Sequence, residues 1–372
     1  MRRILIDKRI KDMAADYVKD IQTVVGDVEA CLRNLTEELK KQTTKIYVCT
    51  ADNVNRYKGD EYQSVSKYVG KIAGHYDEIN NLLPSQYDGV MSEIDGELGT
   101  IKVDEVLVKL RGKKKQPLYE LIVDIMGYNK VRKEVLPQYV NKLEIKTCVY
   151  CNAQFAITTL IEDVREKIML GKPGRPKKAI VIPRLGGYYE MDHNKPKSKY
   201  PYLCTNFYNL QPCCSSCNKR KLTRDLPFSI YYEEGDPDPA PLRFAISPQD
   251  VIDFHTKGKC KGIKPYLCDE ANPTKRVRAR KNGTLAERFN YIFDIDKIYA
   301  EHEDEVEELL WRNRIYTHGI VSATSSQFKD LQIEDFDFGR YILGTYPNRE
   351  DALKRPLTAM KQDIWKQVKK DE

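Results

Sequence analysis

The sequence predicts an α+β fold. A mainly helical N-terminal region (1–142) leads into a compact core of short strands and one helix, stapled by cysteines (143–232). A mostly helical C-terminal region with one hairpin follows (233–372). Three observations predict this arrangement. Apolar residues recur at helical spacing through the first forty positions. At Lys146 the texture changes to Cys, aromatic and β-branched residues. Two Cys-x-x-Cys pairs, Cys148/Cys151 and Cys214/Cys217, bracket that second stretch.

Ile10, Ala14, Tyr17, Ile21, Val24, Val28, Cys31 and Leu35 repeat at steps of four and three, which predicts one long helix over 4–39. Such a stripe packs on its own domain or forms a seam for a second copy of the chain. Ala, Tyr and Cys are poor seam residues, and Gly26 weakens the helix. Residues 43–50 read as a short strand or the next helix start. Helical patterns follow at 54–82, 85–96, 102–112, 117–126 and 129–142, broken by a basic loop, RGKKKQP (111–117). KTCVYCNAQFAITTLI reads as a knuckle and a strand, and AIVIPRLGGYYEMDH as strand, turn, strand. NLQPCC is a short strand, and a helix begins near Ser215. Pro and Gly make 234–248 a loop, 262–294 reads as strands or a hairpin, and helices return at 296–330, 334–343 and 350–370.

Composition narrows the classes. With 31% charged and 41% hydrophobic residues the chain is neither disordered nor membrane-dominated. No apolar run approaches the roughly 18–20 residues of a spanning helix. The charged N-terminus lacks the apolar core of a secretory signal, so a cytoplasmic protein is expected. The net charge of +7 is only a mild basic excess, but it is unevenly spread. Seven basic residues face two acidic ones between Gly186 and Arg224, and five of the seven residues in KRVRARK (275–281) are basic. That second run reads as a strand with a cationic face, or as a partner for the acidic helix at 301–308.

Four thiolates from Cys148, Cys151, Cys214 and Cys217 make a closed tetrahedral set, the arrangement of structural zinc. Four buried cysteines without metal are the alternative. Cys213 competes with Cys214 for the fourth position. The other cysteines read as free thiols in a reducing compartment. Between the pairs lie Asp192-His193, Asn209 and, directly after Cys217, Asn218. A His at a strand end can take a proton from water near neutral pH. An adjacent carboxylate and a side-chain amide can hold Mg²⁺ by oxygen, with positions left for water and phosphate. Together these are the parts of a phosphodiester-cutting site.

From about 146 to 225 the chain resembles an HNH endonuclease of the ββα-metal type, in its zinc-stapled branch. The residues that carry the resemblance are CVYC, DHNKPKS and FYNLQPCCSSCNKRK. The resemblance implies that His193 is the general base, that Asp192 and Asn218 hold the catalytic Mg²⁺ or Mn²⁺, and that Asn209 ties the inter-strand loop to the backbone of the base. It implies DNA as substrate, with RNA as the alternative. A second alternative is a catalytically silent, zinc-containing nucleic-acid-binding or assembly subunit. Flanking segments, among them LYELIVDIMGYNKVRKEVLPQYVNKLEIKTCVYCNAQFAIT, are similar to bacterial HNH proteins encoded beside ATPases or retrons in anti-phage loci, such as the Septu-type nuclease subunit. That similarity implies antiviral defence with a partner ATPase. Because one such site cuts one strand, double-strand cleavage would need a homodimer or two events.

Lys195, Lys197, Lys199, Lys219, Arg220 and Lys221, with Arg224, are expected to contact phosphates around the scissile bond. The tyrosines among them are core residues or stacking platforms. KPGRPKK (172–178) resembles an AT-hook, whose Arg175 would enter a narrow A·T minor groove; a basic turn is the alternative.

Overall fold

The computed structural model describes residues 2–50, 53–56, 60–161, 168–170, 178–180, 183–236, 241–330 and 337–369. Helix and sheet are both present, with helix at 54% and strand at 14%. No helix among the described residues is long and apolar enough to cross a membrane.

The first helical stripe is two helices, Lys8–Val25 and Val28–Lys40. Gly26, at φ +82°, ends the first, a conformation that costs other residues a Cβ clash. Asp27 then starts the second by accepting the Ala30 N–H, as Asp7 does for Ile10. The break resets the stripe. Ile10, Ala14, Tyr17 and Ile21 are buried on the first helix, and Val28, Leu32, Leu35 and Leu39 on the second. Cys31, expected on the apolar stripe, is exposed.

The N-terminal region is less purely helical than expected. It holds a four-stranded antiparallel sheet, ordered Asn53–Arg56, Lys45–Thr50, Val106–Lys109, Gln116–Pro117. Ile46 and Val48 lie opposite Val108 and Val106, and all four are buried, so the alternation of the strands aims one face at the core. The basic run Arg111–Lys115 is an exposed turn between two strands. Helix Leu118–Ile125 packs on the sheet, and helix Asp60–Gly74 packs against Val28–Lys40 and Tyr87–Asp95.

In the C-terminal region, Leu242–Ala245 pairs with Tyr266–Asp269. KRVRARK is not a strand. Val277 is buried there, while Arg276 pairs with Asp296 and Arg280 with Glu287, so its expected partners at 301–308 are not the ones it uses. Helices Leu285–Phe293, Glu303–Ile315 and Thr358–Val368 close this end. One hydrophobic core cluster runs from Ile6 to Val368 and includes residues of all three regions. The N-terminal arm belongs to it: Ile4–Leu5 lies parallel to Tyr231–Tyr232, and Arg2 makes a buried ion pair with Asp363 at 2.5 Å.

Candidate active site

The site is built on the antiparallel hairpin Glu190–His193 with Leu210–Cys213, followed at once by the helix Ser215–Lys221. Glu190 and Asp192, two apart, share one face of their strand. Asn218 and Lys221, three apart, share one face of the helix. The two faces meet. The Asn218 amide donates to the Glu190 carboxylate, and the Lys221 ammonium lies 3.1 Å from the Asp192 carboxylate.

The four cysteines gather where the start of this helix meets the Cys148–Cys151 knuckle. Cys148 and Cys151 flank a tight turn in which Asn152 N–H bonds the Cys148 carbonyl at 2.8 Å, with Asn152 itself left-handed at φ +52°. Cys214 caps the helix and Cys217 sits in its first turn. Their sulfurs all lie within 4.8 Å of one another, so the cluster could hold a zinc ion. Zn–S bonds of about 2.3 Å place tetrahedral sulfurs roughly 3.8 Å apart, so the spread is one a metal can gather. Cys213, the competitor by sequence, faces away; its thiol donates to the Glu190 carbonyl. Val149 N–H bonds the Pro212 carbonyl at 3.3 Å and fastens the knuckle to the hairpin.

His193 is 4% exposed. Its Nε2 lies 3.0 Å from the Cys204 carbonyl, and its ring packs against Tyr128 with centroids 4.8 Å apart. A carbonyl only accepts, so the neutral ring carries its proton on Nε2 and leaves the Nδ1 lone pair open. Burial, reinforced by Lys197, pushes its pKa down to about 3. The ring is therefore neutral at physiological pH.

Asn209 is fully buried. Its Oδ1 accepts the Lys195 N–H at 2.7 Å, and its Nδ2 donates to the carbonyls of Lys195 (3.1 Å) and Leu203 (2.9 Å). It thus ties both ends of the loop between the strands. The loop carries Cys204, whose carbonyl orients His193.

Asp192 is also nearly buried. Burial pushes its carboxyl up, against the pull of Lys221 and the Tyr150 hydroxyl, both of which bond it. Gln211, opposite Asp192 in the strand register, is fully buried and neither end of its amide has a protein partner. Directly opposed residues share a face. Glu190, Asp192, Gln211 and Asn218 therefore gather oxygen donors of the kind a hard divalent cation takes. Lys221 competes for that place with its own positive charge.

The structure divides the expected phosphate contacts. Among the described residues Lys195, Lys197 and Lys219 have no carboxylate partner; Lys195 and Lys197 lie over the rings of Tyr200 and Tyr128. Lys199 pairs with Asp225 and Arg220 with Asp294. Lys221 is not on the basic surface at all: it is fully buried, with its ammonium 2.6 Å from the His193 carbonyl. The expectation for Arg175 falls outside the described residues. Sequence reasoning passed over Tyr128, Tyr150, Glu190 and Gln211. The signal for Glu190 was present, since it shares a strand face with Asp192.

No family model, curated protein or solved structure matches the chain.

Proposed function

We propose that the protein is a metal-dependent endonuclease of the HNH type that hydrolyses phosphodiester bonds in DNA. The observation that carries this reading is the hairpin-and-helix unit that gathers Asp192, His193, Asn209 and Asn218. Asp192 and Asn218 would hold the divalent cation, with Glu190 beside them. That ion would supply charge stabilisation for the attacked phosphate and its leaving oxygen. The residues of the chain do the rest. Nδ1 of His193 accepts a proton from the attacking water. The Cys204 carbonyl holds the ring in the required tautomer, and Asn209 holds the loop that bears that carbonyl. A pKa near 3 makes His193 a weak base, but an anionic phosphate beside it raises its proton affinity. Lys195, Lys197 and Lys219 are free to bind backbone phosphates. The zinc site keeps Asn218, directly after Cys217, in place.

The Lys221–Asp192 pair favours a second reading, a silent site in an assembly subunit, because the ammonium already neutralises the candidate metal ligand. Cleavage of plasmid DNA and of RNA in Mg²⁺ or Mn²⁺, wild type against His193→Ala, separates the readings. Metal-dependent cleavage that the substitution abolishes is expected. No cleavage in either metal, with or without a partner ATPase, would leave the silent reading.

A further inference from the structure

A second concavity, of about 510 Å³, lies in the C-terminal region among the helices Pro248–Lys257, Glu303–Ile315, His318–Asp330 and Thr358–Val368. Its wall combines two chemistries. Phe254, buried, and Trp365, half-buried, supply aromatic surface. Arg314, Lys369, His255 and His318 supply nitrogen donors, and no carboxylate is among its lining residues.

Among the described residues the charge there is not matched by carboxylates. Elsewhere on the same helices Lys257 pairs with Asp253, Arg312 with Glu308 and Lys361 with Glu305. Arg314 and Lys369 have no such partner among the described residues. Arg314 is exposed at the cavity wall. Its guanidinium rests against Gly258, at φ +68°, where an added Cβ would stand 1.7 Å from Nη1. Glycine at that helix end takes the left-handed backbone conformation without strain.

We propose that this cavity binds a nucleoside phosphate, with the base against Trp365 and the phosphate on Arg314 and Lys369. Indole faces stack on any base, and guanidinium binds phosphate oxygens in pairs. The ligand is a free nucleotide or a nucleotide of a single strand; both present the same chemistry. The site is independent of the nuclease reading.

The chain has two tryptophans, Trp311 and Trp365. In full-length Trp311→Phe protein Trp365 is the sole indole reporter. Its fluorescence is titrated with AMP, ATP, inorganic phosphate and a 5′-phosphorylated oligo(dA). Saturable quenching with a Kd below about 1 mM is expected. Quenching by AMP or ATP assigns a free nucleotide, and quenching by the oligonucleotide alone assigns a strand. Arg314→Ala and Lys369→Ala should each weaken binding about tenfold or more. Lys8→Ala, an exposed lysine on the first helix, should leave it unchanged. The proposal is overturned if neither nucleotide nor oligonucleotide gives a saturable change. It is equally overturned if both cavity variants bind like wild type, or if inorganic phosphate binds as tightly as AMP.

Discussion

Replacing Asn209 by Ala tests the site at its least exposed joint. The side chain makes three hydrogen bonds of 2.7, 3.1 and 2.9 Å, all to the backbone of the loop between the two strands. Each is worth about 1 kcal/mol net, and the residue is fully buried, so the freed backbone groups regain little from water. The expected loss is about 3 kcal/mol. It is read from the urea midpoint of zinc-loaded wild type and variant at equal m. The second consequence is local. Leu203, released by the substitution, directly precedes Cys204, whose carbonyl fixes the His193 tautomer. Cleavage should therefore fall by tenfold or more under conditions where the variant is still folded. A stability loss under about 0.5 kcal/mol would show that the amide does not hold the loop. An unchanged cleavage rate at the expected stability loss would refute the route through Cys204.

Other perturbations separate the parts of the unit. Lys221→Met leaves the buried Asp192 carboxylate with the Tyr150 hydroxyl and the His193 backbone N–H but no positive charge, and removing one partner of a buried pair costs about 3–5 kcal/mol. Added Mg²⁺ should recover part of that loss in a thermal melt; recovery no larger than in wild type would argue against a cation site at Asp192. Stripping zinc with a chelator, or Cys148→Ser, should abolish cleavage in a way that Mg²⁺ does not rescue, followed by metal analysis beside the activity assay. Asp95 is held up to about 6 by burial despite the Tyr202 hydroxyl. The folded state thus keeps a proton the unfolded chain releases, so this group's contribution is most favourable below about pH 4 and declines as pH rises through 6. A two-unit shift is about 2.7 kcal/mol, and partial exposure cuts it to roughly 1 kcal/mol. Asp95→Asn should therefore stabilise by about that much at pH 7.5 and by almost nothing at pH 4, in urea melts at the two pH values.

What was legible in the sequence was spacing. Two Cys-x-x-Cys pairs sit where their sulfurs converge, and Cys214 rather than Cys213 joins them because it lies past the end of the strand, at the helix cap. The strand ending at His193, the strand at 210–213 and the helix from Ser215 were all readable from residue types and turns. Pairing between distant segments was not. Val106–Lys109 is too short to prevail over the helical patterns around it, and it becomes a strand by pairing with Lys45–Thr50 and Gln116–Pro117. Gly26 shifted the apolar stripe by changing helix phase, which moved Cys31 to the surface. Lys221 was read as one cation of a basic run. Its burial depends on Asp192, a carboxylate 29 residues earlier that the helix face happens to meet.

The Cys148–Cys151 knuckle is also a fastening point for the far end of the chain. Asn152 accepts the Ala359 N–H on its side chain and the Leu357 N–H on its backbone, and its amide donates to the Ala352 carbonyl. Tyr299 bonds the Cys151 carbonyl at 2.7 Å, and Arg2 waits for Asp363 across 361 positions. During synthesis on a ribosome, the cysteines can meet as soon as residue 217 has emerged, but the turn holding two of them keeps open donors and acceptors until residue 359 follows. Chain growth itself then orders the assembly: the four cysteines can gather early, and the knuckle that carries two of them is locked only with the last helix.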